Sequence, residues 1–331
     1  GAGSIVLVVG EAGIGKSRLV AELRKEAQHL LGDGQRPRNP GPDQLHPKWV
    51  EGRCLSYGTS SVFLLWLDML RGLLELTAED SPEEVRDALK DRVQTLCPER
   101  HDEVYPYLGR LMSLPLEEEA ATMLDGLDGG QLRGATFEAV ETLIGSEASQ
   151  GPLVLVCEDL HWADPSSLAL LERLLPLPGR LPLLLLCVFR PERTHGVWRL
   201  QEVVARDHPH RRVRLRSLSQ DDGESLIDNL LGAEGLPDRL VERILAYAEG
   251  NPFYLEEVLR SLIDEGVIVQ DLATGRWQAT RDVADITIPD TLQGVLLARI
   301  DRLQQETKRV LQMASVIGRI FPYRILATIA V

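Results

Sequence analysis

The sequence contains no long hydrophobic run and has few cysteines, aromatic residues or lysines. Its longest unbroken apolar run, Leu183–Phe189, is far shorter than the roughly 18 residues that a membrane-spanning helix needs, so no membrane partner is expected. Apolar residues make up 44% and charged residues 26% of the chain, which excludes the collagen-like and wholly disordered classes. At roughly 100–200 residues per domain, 331 residues predict two or three domains.

The four cysteines, at positions 54, 97, 157 and 187, form no CxxC motif and no short Cys/His cluster, and three of them lie in apolar runs. They are therefore expected to be buried thiols in a reducing compartment rather than disulfides or zinc ligands. The N-terminus has neither a signal-peptide pattern nor an initiator methionine. These features predict a cytoplasmic protein of which the sequence is one piece.

Acidic residues outnumber basic ones, 50 against 36, and the excess lies in the first half of the chain. Residues 1–165 hold 15 basic and 28 acidic residues, whereas residues 166–331 hold 21 and 22. This balance disfavours a general polyanion binder. The arginines of 212–216 alternate with Val213 and Leu215, as in a half-exposed strand without stacking aromatics, so nucleic-acid binding by this fragment is not expected.

Short apolar runs alternate with helical periodicity along the first two thirds of the chain, which is the pattern of a parallel α/β sheet. The third and fourth of these runs are almost continuously apolar, which predicts strands in the centre of the sheet with both faces covered. The five predicted strands are Ser4–Val9, Trp49–Cys54, Leu153–Glu158, Leu183–Phe189 and Arg212–Arg216.

The predicted sheet domain covers residues 1–218 and contains two insertions. Residues 32–48 are rich in proline and glycine and predict a mobile segment, and residues 60–148 predict a helical insertion. Within the latter, the helix-start pattern of Ser81, Pro82 and Glu84 predicts a helix over 81–96. After Ser219 the pattern is mainly helical. It predicts helices over 220–231, 237–249 and 252–265, a hairpin around Asp271–Gly275, and helices over 290–304 and 306–317.

A glycine-rich loop follows the first predicted strand and precedes a helix predicted over 18–31. Residues 10–17 read GEAGIGKS, which matches the phosphate-loop pattern GxxxxGK[ST]. In this pattern loop N–H groups and the helix N-terminus face phosphate oxygens, the lysine reaches the β- and γ-phosphates, and the serine binds Mg²⁺. The predicted nucleotide-binding residues are Gly10, Glu11, Ala12, Gly13, Ile14, Gly15, Lys16, Ser17 and Arg18.

Two carboxylates, Glu158 and Asp159, follow each other at the end of the third predicted strand. At such a position one acid holds the Mg²⁺ shell and the other orients the attacking water, so both are predicted to be metal-binding and catalytic. Ser17 is the third predicted metal ligand, and Lys16 and Arg190 are the other predicted catalytic residues. The pattern does not decide which acid has which role. The alternative is an acidic strand end before the helix start at Asp164.

Two further positions are candidates for the site. Arg190 follows the fourth predicted strand, and because ligands bind beyond the carboxyl ends of parallel strands, it is predicted to contact a γ-phosphate; the alternative is a solvated surface arginine. Gly250 and Pro252 separate two predicted helices. A left-handed helix end followed by proline in the next first turn explains that pair fully as a helix–helix corner.

Taken together, these segments resemble the signal-transduction ATPases with numerous domains (STAND), a branch of the AAA-like P-loop NTPases found in bacterial cyclase-linked and LuxR-type multidomain regulators. The resemblance implies an α/β fold: a P-loop NTPase with a five-stranded parallel sheet, a helical lid domain at 219–288 and the start of a winged-helix domain at 289–331. It is carried, in the family's order, by GEAGIGKSRL (10–19), EGRCLSYG (51–58), VCEDLHWADPSSL (156–168), VFRPER (188–193), GNPFYLEEVLRSLIDEG (250–266) and IPDTLQGVLLARIDRL (288–303).

The resemblance implies an ATP/ADP switch that uses Mg²⁺, hydrolyses ATP slowly to ADP and phosphate, and acts on protein partners or by self-association. In such proteins the lid proline, here Pro252, packs near the adenine, and the arginine after the fourth strand, here Arg190, senses the γ-phosphate. A scaffold that binds nucleotide without hydrolysis stays open, and so does a nucleic-acid-dependent ATPase of the replication-initiator type. The latter typically carries an arginine in the lid helix, where this chain has Glu256 and Glu257.

Overall fold

The computed structural model describes residues 3–30, 47–55, 62–77, 79–191, 196–232, 236–271, 276–283, 286, 291–317, 321 and 323–329. The chain divides into two compact units by its contacts. The first unit consists of Gly1–Ala12 and Lys16–Leu215, and the second of Gly13–Gly15 and Arg216–Val331. None of the described helices combines the length and the hydrophobicity that crossing a bilayer requires.

A five-stranded, all-parallel sheet forms the centre of the first unit, in the order β2-β3-β4-β1-β5. The predicted parallel α/β fold is therefore confirmed, and the third and fourth strands do lie inside the sheet. All six residues of β3 are buried. The strands are β1 (Ser4–Val9), β2 (Lys48–Arg53), β3 (Leu153–Glu158), β4 (Leu183–Phe189) and β5 (His210–Arg214).

Two predicted strands are wrong at their ends. The second strand begins at Lys48, which was assigned to the preceding insertion, because the Lys48 N–H donates to Pro152 O at 2.9 Å and so joins the ladder with β3. The fifth strand covers His210–Arg214 and not Arg212–Arg216, because the pairing with β1 ends at Val9, opposite Arg214. In both cases the partner strand fixes the boundary.

Eight helices lie in the described part of the first unit. The first begins at Lys16, two residues before the predicted start, so the lysine and serine of the glycine-rich loop are already helical. Five helices lie between β2 and β3, which confirms the helical character predicted for this insertion; residues 31–46 of the other insertion lie outside the described residues. The helices are α1 (Lys16–Leu30), α2 (Leu64–Leu73), α3 (Pro82–Leu96), α4 (His101–Leu111), α5 (Glu118–Asp125), α6 (Gly129–Gln150), α7 (Pro165–Leu174) and α8 (Val197–Asp207).

The N-terminus of α3 confirms the predicted capping pattern. The Glu84 N–H donates to Ser81 Oγ at 3.3 Å, and the Ser81 N–H donates to Glu84 Oε2 at 2.8 Å. Pro82 occupies the first turn, where its missing N–H costs no hydrogen bond. The buried residues Val85, Leu89 and Val93 then lie on one side of the helix. Local pattern alone is thus sufficient to define this element.

Apolar side chains cover both faces of the sheet. On one face, strand residues such as Leu155 and Leu185 belong to a large apolar cluster that includes residues of the insertion helices. On the other face, Val156 and Val188 belong to a smaller cluster that includes Val20 of α1. Burial on both faces explains the nearly continuous apolar sequence of β3 and β4. Polar side chains are consequently found where the strands end.

Three buried, free thiols lie on neighbouring strands close to the sheet's carboxyl edge: Cys54 directly after β2, Cys157 in β3 and Cys187 in β4. A hydrogen bond with Cys187 and burial raise the pKa of Cys157, and burial raises the pKa of Cys54. Because the thiolate is the reactive form, these groups should be inert in the folded chain. The predicted buried thiols are thus confirmed.

We expect a thiol-exchange reagent at pH 8 to modify the four cysteines about tenfold or more slowly in the native chain than in urea-unfolded chain, because burial limits both access and thiolate formation. Release of the chromophoric thiol measures the rate. Modification of Cys157 in the native chain at the unfolded rate would contradict the burial described above.

The second unit is mainly helical. The predicted hairpin is confirmed as an antiparallel strand pair, although its turn, residues 272–275, lies outside the described residues. Its elements are α9 (Gln220–Leu231), α10 (Asp238–Ala248), α11 (Pro252–Asp264), β6 (Ile268–Gln270), β7 (Trp277–Ala279), α12 (Leu292–Asp301), α13 (Gln305–Ile317) and α14 (Tyr323–Ile329). Buried residues of α9, α10 and α11 form its core with Val267 and Ile268.

Candidate functional site

The glycine-rich loop connects β1 to α1. Gly13 and Gly15 have φ of +76° and +95°, conformations that side-chain-bearing residues rarely adopt. The loop leads directly into the N-terminus of α1, a helix of 15 residues. The first N–H groups of a helix have no intrahelical acceptor and carry a partial positive charge, so this junction suits an anion such as phosphate.

Lys16 is held against the loop. Its Nζ donates to Gly10 O at 2.8 Å and to Glu11 O at 2.7 Å, and the residue is only 8% exposed. Burial lowers the pKa of Lys16, and the positive charge of Arg190 lowers it further. The charges of Asp159, Glu11 and Glu158 act in the opposite direction. The ammonium therefore belongs to one electrostatic cluster with both acids of β3 and with Arg190.

The first of the two acids, Glu158, is nearly inaccessible. It is 3% exposed, and Ser17 Oγ donates to its Oε2 at 3.5 Å. Ser17 lies in the first turn of α1 and Glu158 is the last residue of β3, so the fold brings together two residues that are 141 positions apart. Two hard oxygen donors thus face each other beside the phosphate loop.

Asp159 has a different environment, although it is the next residue. Its φ of 55° and ψ of 37° place it in the left-handed region, and the Trp162 N–H donates to its carbonyl at 2.8 Å in the tight turn that follows. The Asp159 side chain is 25% exposed, against 4% for that of Glu158. The left-handed residue follows the strand directly, and the two neighbouring carboxylates differ in exposure.

Arg190 directly follows β4, as predicted. Its guanidinium carbon lies 6.0 Å from the centre of the Trp162 ring, at the outer limit of a cation–π contact. Its positive charge acts to lower the pKa of Lys16. The β3 acids, Arg190 and the loop lysine thus all lie at the carboxyl edge of the sheet, where parallel-sheet proteins bind their ligands.

Arg53 is a member of this cluster that the sequence analysis did not identify. It is the last residue of β2, in register with Glu158, and its Nη2 donates to Glu158 Oε2. Its Nε lies 4.0 Å from Asp159 Oδ2. Burial acts to lower the pKa of Arg53, but the hydrogen bond and charge of Glu158 outweigh burial and raise it, so the guanidinium stays charged. An arginine at the end of a neighbouring strand was the available signal.

The corner between α10 and α11 lies in the second unit. Glu249 and Gly250 both have positive φ, 48° and 73°, which confirms the left-handed helix end at Gly250 and extends it by one residue. Pro252 is in the first turn of α11, as predicted, and the side chain of Asn251 caps that helix by accepting from the N–H groups of Phe253 and Tyr254. Gly250 and Pro252 thus have the structural roles predicted for a helix–helix corner.

Comparison with known proteins identifies relatives of both parts of the chain. A domain of unknown function (DUF8739) matches residues 219–272. The chain is 25% identical over 273 residues to the uncharacterized protein R02095 of Rhizobium meliloti (strain 1021), covering 78% of this chain and 22% of that protein. It is 27% identical over 198 residues to the peroxide stress-activated histidine kinase mak3 of Schizosaccharomyces pombe (strain 972), covering 58% of this chain and 8% of that protein. The chain thus spans a small part of each curated relative.

Solved structures with a similar arrangement include two proteins of Aeropyrum pernix. The ORC1 protein in complex with DNA has 13% identity and a TM-score of 0.42, with 93% of this chain and 65% of that chain covered. The ORC2 protein in its ADP form has 12% identity and a TM-score of 0.41, with 100% and 73% covered. A family model described as AAA ATPase domain matches residues 1–186, from β1 through the glycine loop and the acids of β3 into β4, and the chain therefore belongs to the AAA ATPase domain family.

Proposed function

We propose that this chain is the ATP-binding switch module of a larger signalling regulator, and that it hydrolyses ATP slowly. The observation that carries the proposal is the cluster at the carboxyl edge of the sheet, where Lys16, Ser17 and Glu158 meet beside a helix N-terminus. Family membership supports nucleotide binding, and the cluster supplies the charges that a nucleoside triphosphate requires.

In the proposed site Lys16 and the loop N–H groups bind the β- and γ-phosphates. Ser17 and Glu158 hold Mg²⁺, since oxygen donors are those that this ion prefers and their two oxygens lie 3.5 Å apart. In the proposed site, oxygens of the nucleotide and of water would supply the remaining ligands, because Mg²⁺ usually binds through few carboxylates together with phosphates and water. When bound, Mg²⁺ would neutralise charge on the transferred phosphoryl group.

The remaining roles follow from the same geometry. Asp159 orients the attacking water, because its side chain is more exposed than that of Glu158. Arg190 senses the γ-phosphate, and its coupling to Lys16 supports that role. Pro252 is assigned an adenine-binding role on the STAND resemblance alone. These assignments divide the two acids between metal binding and hydrolysis.

The switch role rests on the STAND resemblance of six segments and on the name of one relative, which describes a histidine kinase activated by peroxide stress. In this scheme ATP and ADP stabilise different conformations, and the difference in contacts shifts the population between them. The partners would be other domains of the full-length protein or a second copy, and the compartment would be the cytoplasm.

Isothermal titration of ATP, with and without Mg²⁺, tests the proposed site. We expect Lys16→Ala to weaken ATP binding by about tenfold or more, because a charge-assisted contact contributes roughly 1.5–3 kcal/mol. Lys25→Ala is the matched control, since Lys25 is an exposed lysine of the same helix that pairs with Glu22 at 3.0 Å. Its ATP affinity should stay within about twofold of the parent chain.

An unchanged ATP affinity in the Lys16→Ala chain would overturn the proposal. Release of phosphate in a single turnover then separates a slow ATPase from a scaffold that only binds nucleotide. Stimulation of that release by DNA, with a steep salt dependence, would favour the replication-initiator reading over the switch.

A further inference from the structure

Arg53 and Glu158 form an ion pair at the point where the proposed cation would bind. Their strands are adjacent, and residue 53 stands opposite residue 158 in the parallel register. The Arg53 N–H also donates to Asp68 Oδ2 at 3.0 Å, which fixes the backbone from which the guanidinium extends. The strand pairing and this hydrogen bond therefore fix the backbone positions of Arg53 and Glu158.

One carboxylate oxygen has two partners. Glu158 Oε2 accepts both from Arg53 Nη2 and from Ser17 Oγ, and it is the oxygen nearest to the serine in the proposed metal site. A divalent cation held by Ser17 and Glu158 needs electron pairs on that oxygen and is repelled by a guanidinium beside it. Arg53 and the cation would therefore compete for one carboxylate oxygen, Glu158 Oε2.

The two members of the pair differ in how easily each leaves it. The Glu158 side chain is 4% exposed, and a buried carboxylate without a partner is strongly unfavourable. The Arg53 side chain is 34% exposed, so its guanidinium can reach water when it is released. When a second cation arrives, Arg53 is therefore the partner that moves.

We propose that Arg53 is a positioning residue that holds Glu158 in the metal-free site and competes with the nucleotide-bound divalent cation for it. Resting on the proposed function, this inference adds a control on cation entry. Arg53 keeps the buried carboxylate paired before the cation binds, and the cation must displace the guanidinium. Charge removal at position 53 consequently favours the cation-bound state.

The test uses Mn²⁺ as a probe for the cation. The 331-residue chain is saturated with ADP, and free Mn²⁺ is measured by electron paramagnetic resonance. We expect Arg53→Gln to bind Mn²⁺ at least about tenfold more tightly than the parent chain, because a competing charge-assisted hydrogen bond is lost. Arg53→Lys, which keeps the positive charge, should stay within about threefold of the parent.

Arg24→Gln is the matched control. Arg24 pairs with Glu51, the acid of β2, at 3.2 Å, and both side chains are exposed. Its removal should leave Mn²⁺ affinity within about twofold of the parent value. In a Glu158→Gln background, Arg53→Gln should have a much smaller effect, because the carboxylate for which Arg53 and the cation compete is then absent.

A second measurement on the parent chain covers the case in which Arg53→Gln does not fold. The Nε–H resonance of Arg53, assigned from its absence in the Arg53→Lys spectrum, should move to the position of a solvent-exposed arginine as Mg²⁺ is added to the ADP complex. Unchanged or weaker Mn²⁺ binding by a folded Arg53→Gln chain overturns the inference, and so does a resonance that Mg²⁺ leaves in place. If ADP binds the parent chain neither in EDTA nor with Mn²⁺, the proposed function itself fails.

Discussion

Replacement of Asp159 by asparagine is expected to lower ATP turnover by about 100-fold or more, while ADP affinity stays within about twofold, because positioned acid–base groups contribute about 10²–10⁴-fold to rate. Asparagine removes the charge but tolerates the left-handed backbone that Asp159 adopts, with φ of 55°. The substitution therefore changes the chemistry of the side chain and leaves the turn after β3 intact.

Glu158→Gln should give a different pattern. Because Glu158 contacts Ser17 and is the proposed metal ligand, its neutral variant should lose turnover at low Mg²⁺ and recover part of it as Mg²⁺ is raised. Asp159→Asn should show no such recovery. The difference in how the two variants respond to Mg²⁺, and not the loss of turnover alone, shows which acid binds the metal and which orients water.

Phosphate release at saturating ATP measures turnover, and fluorescent ADP measures affinity. Asp91→Asn is a suitable control, since Asp91 is an exposed acid of α3 that lies near Lys48, at the amino end of β2 and not at the carboxyl end. Its turnover should match that of the parent chain. If both Glu158→Gln and Asp159→Asn hydrolyse ATP at the parent rate, the assignment of these acids to the site is wrong.

Features encoded within a few residues were predictable from sequence. The capping pair Ser81 and Glu84 defined the start of α3, and Gly250 defined the end of the helix before α11. The glycine loop was equally readable, because strand, loop and helix follow one another along the chain. Each of these signals depends on neighbours within about one turn of helix.

Features that depend on strand pairing were not predictable. The C-terminal end of β5 is fixed by where β1 stops, and the contact between Arg53 and Glu158 requires β2 and β3 to be adjacent and in register. The apolar pattern of the sequence predicts these strands, but it does not predict which of them are neighbours or how they align. The role of Arg53 could not be predicted for this reason, even though Arg53 lies in the segment EGRCLSYG (51–58), which carries part of the STAND resemblance.

Asp164 illustrates the same limit within a single residue. The sequence predicts it as the start of a helix, and the structure confirms that its Oδ1 accepts from the N–H groups of Ser166 and Ser167, both at 3.0 Å. Its other oxygen accepts from the Phe63 N–H at 3.1 Å, across 101 positions, and from Ser167 Oγ at 2.5 Å. The helix cap depends on neighbouring residues and could be predicted from the sequence. The contact with the Phe63 N–H could not.

Asp164→Ala is therefore expected to destabilise the chain far more than loss of an ordinary helix cap. The residue is 6% exposed, and its removal leaves the N–H groups of Phe63, Ser166 and Ser167 without their acceptor in a buried region. Unsatisfied buried donors cost about 1–3 kcal/mol each, and the total should be about 3–5 kcal/mol of unfolding free energy because some donors will find water.

Asp128→Ala is the matched comparison. Asp128 caps α6 in the same way, by accepting from the N–H groups of Gly130 and Gln131 at 2.8 and 2.9 Å, but it is exposed. Water replaces the lost acceptor there, so the cost should be about 1 kcal/mol. Urea unfolding monitored by circular dichroism measures both variants. Equal losses of unfolding free energy in the two variants would mean that the hydrogen bond from the Phe63 N–H contributes nothing to stability. Asp164 would then act only as a helix cap.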